Sequence, residues 1–207
     1  MGRLPPADWE ISPAVVRALL EEQHPDLAGL TIREAGTGWD NCMYRLGDEW
    51  SVRVPRRACA TPLIEHEQRW LPMLAPRLPL PVPVPVRVGR PACGVEAAWV
   101  ITRWMPGRDA EMCPPRNLAE VARQLGVFLA ALHQPAPEDA PGNPDRGVLA
   151  DRTVTAHERA AQLDPPDRDR VLRAWDSFLE VPNWSGPPLW IHADLHPANV
   201  LVDDGRL

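Results

Sequence analysis

Lysine is missing from this chain altogether. Its 207 residues carry 22 basic side chains, and every one is arginine. Any phosphate contact that lysine would make must fall to arginine, histidine or backbone N–H groups. Other shortages close off whole classes. The four cysteines, Cys42, Cys59, Cys93 and Cys113, are widely spaced and form no Cys-x-x-Cys pair. Neither a zinc site nor a disulfide framework is expected, and they read as buried or idle thiols. No apolar run approaches the roughly 20 residues of a membrane span. The N-terminus also lacks the apolar core of a secretory signal, so the expected location is cytoplasmic, without membrane attachment. A net charge of −6 with no basic stripe argues against nucleic acid as a partner. It is compatible with a cationic small molecule. No internal repeat is visible, and nothing signals an oligomeric state.

What is present is an ordinary globular composition, 44% hydrophobic and 24% charged, in a chain long enough for one large domain or two small lobes. Ser12-Pro13 reads as an N-cap followed by proline at the first helical position, with Val15, Val16, Leu19 and Leu20 at helical spacing. Residues 30–35, 43–46 and 50–54 are short strand candidates separated by Gly-containing turns, a meander. Thr61-Pro62 starts a second helix to about Leu74, with Leu63, Trp70, Leu71 and Leu74 on one side. Alternating prolines over 78–86 exclude helix and central strand and predict an extended connector into a strand at 86–89. A further strand spans 99–104 and ends in Met105-Pro106-Gly107, a candidate hinge. Beyond it, Asn117 and Glu120 resemble a capping box, and Leu118, Val121, Leu125, Phe128, Leu129 and Leu132 give one apolar face. A Pro/Gly/Asp loop over 134–148 and helices near 155–163 and 167–179 follow.

The densest chemistry lies near the C-terminus. An apolar strand, Leu189-Trp190-Ile191, runs into His192-Ala-Asp194-Leu-His196-Pro-Ala-Asn199, and a second strand then turns at Asp204-Gly205. Asp194 can orient and deprotonate a substrate hydroxyl, and Asn199, five positions on, can give Mg²⁺ a neutral oxygen. His192 would brace the loop, and His196 stands where the protein-kinase loop carries a lysine directed at the transferred phosphate. Two other readings are open. Asp194 and Asn199 can be simple turn and cap residues, or His192, Asp194 and His196 can be metal ligands of a hydrolase, although no further histidine–carboxylate pair at ligand spacing completes such a set.

The N-terminal strands offer partners. Gly36-Thr-Gly38-Trp-Asp40-Asn41 forms the first strand-to-strand turn, where small residues let backbone N–H groups approach phosphate oxygens. Arg53, in Ser51-Val-Arg53-Val-Pro55, can grip two phosphate oxygens at once, where lysine acts as a point charge. Its carboxylate partner is expected from the next helix: Glu67, on the apolar side with Trp70 and Leu71, is preferred to Glu65. Ile101, Trp104 and Met105 can wall a purine site at the hinge.

Together these segments, Gly36 to Asn41, Tyr44 to Gly47, Arg53 to Arg56, Glu67 to Leu74, Trp104 to Gly107 and His192 to Asp203, resemble the aminoglycoside phosphotransferase family. This is the antibiotic-kinase branch of the protein-kinase-like fold, related to choline and homoserine kinases. The resemblance implies an α+β, two-lobe fold with an antiparallel-sheet N-lobe over 1–104 and a mainly helical C-lobe within 105–207. It implies ATP or GTP with Mg²⁺ as cofactors, and γ-phosphate transfer to a small-molecule hydroxyl. Catalytic roles then fall to Asp194, His192 and His196, nucleotide contacts to Gly36, Gly38, Arg53, Glu67, Trp104 and Met105, and metal binding to Asn199. An aminoglycoside is the expected acceptor, with a macrolide or another small alcohol behind it. In the family a second metal-binding aspartate follows within a few residues of the point where this chain ends at Leu207. The chain alone is therefore expected to be catalytically incomplete, and a non-catalytic nucleotide- or ligand-binding module is the alternative.

Overall fold

The structure, a computed structural model, describes residues 4–142 and 148–207, and period-two alternation accounts for its sheet. Strands β1 (Ile32–Thr37), β2 (Asn41–Leu46), β3 (Trp50–Pro55), β4 (Pro85–Gly89) and β5 (Trp99–Arg103) pair antiparallel in the order β1-β2-β3-β5-β4. One face carries Cys42, Tyr44, Leu46, Val52, Val54, Trp99 and Ile101 into a core shared with Val16, Leu19 and Leu20 of helix α1 (Pro13–Gln23). Those three α1 side chains are fully buried, worth roughly 1.5–3 kcal/mol each against exposure. Ser12 caps α1 as expected, its hydroxyl accepting the Val15 N–H at 3.3 Å. The register puts Ser51, Arg53 and Val100 on the opposite face, where Val100 and Ala98 meet Ile64 of helix α2 (Thr61–Leu74).

Residues before α1 strap this sheet. The Asp8 N–H donates to the Arg56 carbonyl at 2.9 Å, and the Trp9 indole to the Pro55 carbonyl at 2.6 Å. The Tyr44 hydroxyl donates to the Ile11 carbonyl at 2.8 Å. Burial, reinforced by Cys42 and Glu34, pushes the Tyr44 phenol up to about 12 from its ordinary value of 10.0. Because the folded value is raised, the stability it contributes is full below pH 10 and is lost as pH climbs through about 12. Tyr44 is the chain's single tyrosine, so the tyrosinate absorbance band reports it alone. The band is expected to be nearly absent at pH 10 and to rise only near 12; half-ionisation at pH 10 contradicts this account of the strap.

Edge strand β4 is protected in part by α1. Gln23 exchanges hydrogen bonds with the Arg90 backbone at 2.9 and 3.0 Å, and His24 Nε2 lies 3.1 Å from the Val88 carbonyl. Gly89 is required there because a Cβ would overlap the Trp99 indole. The proline connector stays out of the sheet until Pro85, since its prolines offer no ladder donor.

Several details differ from the expectations of the sequence. Leu63 is 51% exposed and Ile64 takes the inward place in α2, because the buried stripe runs through Ile64, Glu67 and Trp70. Strand β5 ends at Arg103, and the Trp104 N–H leaves the ladder for the Glu49 carbonyl at 2.7 Å. No strand forms over 189–191: Leu189 makes an isolated bridge to Pro135, and Trp190 N–H reaches Gln134 O at 3.0 Å. Pro135, Pro137, Pro187 and Pro188 remove the donors a longer ladder needs.

After β5 come strand β6 (Arg108–Asp109) and helix α3 (Leu118–Leu132), whose first turn is capped by Asn117 Oδ1 accepting from Glu120 N–H at 3.1 Å. Phe128 and Leu132 are buried on its apolar face, whereas Leu118, expected on that face, is 72% exposed in the first turn. Strand β7 (Leu201–Val202) pairs with β6. The chain up to Leu132 together with Asp194–Leu207 forms one compact unit, and His133–Ala193 a second. The second contains helices α4 (Thr153–Ala160) and α5 (Pro165–Leu179), joined by Trp175 Nε1 donating to Thr153 Oγ1 at 3.4 Å. The loop expected over 134–148 falls partly outside the described residues. No helix among the described residues is long and apolar enough to cross a membrane.

Candidate active site

Arg53 and Glu67 form an ion pair with side chains 19% and 30% exposed. Arg53 reaches it because residue 53 of β3 points to the α2 face, and Glu67 because it lies one helical turn beyond buried Ile64. Glu65, by contrast, is exposed. Burial pushes the Arg53 guanidinium down to about 10, so it remains a cation at neutral pH. Register also aligns Gly36, Met43, Arg53 and Val100 in one cross-strand row. Gly36 therefore sits two strand spacings, about 10 Å, from Arg53 along the sheet.

The turn over 36–41 is exposed at Gly36, Thr37, Gly38 and Trp39. Gly38 N–H closes it onto the Asn41 carbonyl at 2.8 Å. A Cβ at Gly36 would meet nothing within 4 Å, so open space, not strain, characterises this backbone.

Two side chains, Asn199 and His196, converge on Asp194. Asn199 Nδ2 donates to the Asp194 carbonyl at 2.8 Å and to its Oδ2 at 3.0 Å, and lies 3.1 Å from His196 Nε2. His196 Nε2 is 3.6 Å from Asp194 Oδ2, while its Nδ1 accepts the Ala198 N–H at 3.3 Å. A 3-10 turn over Pro197–Asn199 brings the asparagine back onto the aspartate, with proline at its start. His192 is half-buried and belongs to the second unit, two residues earlier in the chain. Between them Ala193 adopts φ +65°, a left-handed conformation that costs a residue with a Cβ about 1 kcal/mol and that gathers at functional loops. Composition alone gives no sign of it.

Several contacts tie this loop to the hinge. The Ala110 N–H bonds both Pro197 and Val200 carbonyls, at 3.0 and 2.8 Å, beside the β6–β7 pairing. Gly107, at φ +106°, lies so close to Val202 that a Cβ would stand 2.8 Å from its carbonyl oxygen. Asp204 and Gly205, both at positive φ, make the tight turn expected from the sequence, and Arg116 anchors it through Asp204 at 2.9 Å. Trp104 and Met105 are half-buried at the hinge, with the Arg45 guanidinium 4.7 Å from the Trp104 ring centre. Strand β5 thus connects two clusters: it pairs with β3 beside Arg53, then runs through 104–107 into β6. Arg53 with Glu67, and Asp194 with His196 and Asn199, are brought together as two groups.

Asn199 spends Nδ2 on Asp194, so its hard Oδ1 oxygen stays available, the donor type Mg²⁺ takes. No group of three or more His, Cys, Asp or Glu side chains suited to a metal occurs among the described residues. This gives the metallohydrolase reading no ligand set.

A five-stranded antiparallel sheet followed by helices and a polar Asp–Asn loop defines the α+β protein-kinase-like fold, and solved structures agree. The chain is similar to aminoglycoside 2'-phosphotransferase-IIIa in its GDP complex, at TM-score 0.67 and 20% identity, over 93% of this chain and 68% of that one. It is likewise similar to macrolide 2'-phosphotransferase MphH from Brachybacterium faecium, at TM-score 0.55 and 24% identity, over 94% and 70%. A third is the streptomycin–ATP complex of APH(2")-IIa, at TM-score 0.56 and 15% identity, over 96% and 68%. No protein of curated function matches the sequence. Residues 31–207 match the model of the phosphotransferase enzyme family, and the chain belongs to that family.

Proposed function

We propose that this chain carries the nucleotide site and acceptor-side chemistry of a small-molecule kinase, with residues 1–104 as the nucleotide-binding lobe and the acceptor-side chemistry within 105–207. The observation that carries the reading is the Asp194–His196–Asn199 knot, seated in a phosphotransferase-family chain. In the reaction, the acceptor hydroxyl oxygen bonds to the γ-phosphorus while the bond from that phosphorus to the β–γ bridging oxygen breaks. The hydroxyl proton passes to Asp194, and nucleoside diphosphate leaves. Asn199 holds the Asp194 carboxylate in place through Nδ2, and its Oδ1 would hold Mg²⁺. His196 lies beside both, and His192 supports the loop.

Arg53, positioned by Glu67, meets the phosphates, with backbone at Gly36 and Gly38 approaching from the turn. Trp104 and Met105 border the base. When bound, Mg²⁺ supplies charge neutralisation to the triphosphate. An aminoglycoside is the acceptor of choice: the sequence resemblance points there, and a net charge of −6 suits a polycation. Solved relatives include complexes with kanamycin and with streptomycin.

The test is nucleotide consumption by the purified full-length gene product, with ATP and with GTP, screened against aminoglycosides, macrolides, choline and homoserine. Acceptor-dependent consumption with an aminoglycoside is expected. Consumption only with a macrolide, choline or homoserine reassigns the substrate. Nucleotide binding without consumption contradicts the kinase reading and favours a binding module.

A further inference from the structure

The turn over 36–41 is held from outside by a chain of contacts that the kinase chemistry leaves unexplained. Asp40 Oδ1 accepts from Arg57 Nη1 at 2.8 Å, with both side chains about 70% covered. Arg56 holds the same turn twice, its N–H donating to Asp40 O at 2.8 Å and its Nη1 to Trp39 O at 3.2 Å. The Arg56–Arg57 corner is itself fastened by the N-terminal segment. Asp8 N–H donates to Arg56 O, Asp8 Oδ2 accepts the Ala58 N–H at 2.7 Å, and the Trp9 indole donates to Pro55 O. Residues 8–9 precede residue 31, where the family match begins.

We propose that this strap, corner and Asp40 form a latch that positions the 36–41 turn for the phosphates of a nucleoside triphosphate. It rests on the nucleotide-binding reading above. The β1–β2 ladder holds the base of the turn at Gly36 and Thr37, but its tip is closed by one further backbone bond, Gly38 to Asn41, so left alone residues 38–40 would sample more conformations. Three bonds from residues 56 and 57 remove that freedom before ligand arrives, which is preorganisation. The chain has no lysine to capture phosphate by a long flexible reach. Correct placement of backbone N–H groups matters correspondingly more. Asp40 and Arg57 act through the turn and are positioning residues.

The test is a double-mutant cycle on the purified full-length gene product, reading KM for Mg·nucleotide, kcat and melting temperature. Asp40→Ala and Arg57→Ala are each expected to raise KM about 10-fold with kcat nearly unchanged, and the double variant to be no worse than either single one. Asp40→Asn, which keeps an acceptor for Arg57, should recover most of the wild-type KM. Asp8→Ala should give a smaller rise in the same direction. If Asp40→Ala does not fold, Arg57→Gln carries the same expectation. Lowered melting temperature with unchanged KM overturns the latch and leaves a merely structural contact, and strictly additive effects overturn it too. Wild-type protein that neither binds nor consumes nucleotide overturns the functional reading together with the latch. Wild-type protein that consumes nucleotide beside unaffected variants overturns the latch alone.

Discussion

Replacing Asp194 by alanine is expected to lower phosphate transfer by ~10²–10⁴-fold, the range over which a positioned proton acceptor acts, while nucleotide affinity largely survives. The asymmetry follows from where the side chain sits. Asp194 is exposed at the loop and held by Asn199 and His196, while the cation expected to meet phosphate, Arg53, lies in a separate group on the sheet. Loss of the carboxylate removes the proton acceptor and one partner of the Asn199 amide, yet leaves the Arg53–Glu67 pair intact. Calorimetric nucleotide titration beside a steady-state rate separates the two effects. Substantial residual transfer removes Asp194 from the base role, and lost nucleotide binding shows that the loop is structural.

The second large effect concerns Arg53 and Glu67. Removing one partner of a mostly buried pair strands the other charge, which costs about 3 kcal/mol where neither side chain is free to reach water. With side chains 19% and 30% exposed, Glu67→Ala is expected near the lower end of that behaviour, and its melting temperature should fall measurably. Arg53→Ala should weaken nucleotide use in addition, because the cation itself is lost. Arg53→Lys keeps the charge but replaces a planar two-pronged donor with a point charge, so partial recovery is expected. Nucleotide kinetics that are unchanged in Arg53→Ala refute its phosphate contact. Unchanged stability in Glu67→Ala refutes the energetic coupling of the pair.

Much of this architecture was legible because local signals and packing agree. Proline-started helices at Pro13 and Thr61, alternation in β2 and β3, and the Asn117 cap each have a local physical cause that the folded chain keeps. The preference for Glu67 over Glu65 came from helical spacing, and the two lie in α2 as paired and exposed residues respectively. What stayed hidden depends on distant partners. The Asp40–Arg57 bond spans 17 positions and Arg116–Asp204 spans 88, and neither pair has a spacing rule. The strap from Asp8 and Trp9 is read only from the Pro55–Ala58 corner it meets. Ala193 at φ +65° is invisible because alanine is not a residue chosen for that conformation. The strand expected at Leu189 failed for a reason written elsewhere, in the prolines of its partner segment.

The most direct measurement follows the phosphorus. The purified full-length gene product is incubated with Mg²⁺, γ-labelled nucleoside triphosphate and an aminoglycoside, and the label is traced by mass spectrometry of the acceptor. The account predicts label in an ester on the aminoglycoside, with one nucleoside diphosphate formed per ester, and its loss in Asp194→Ala. Label found only in inorganic phosphate, or an unlabelled acceptor with every candidate alcohol while nucleotide is bound, contradicts it.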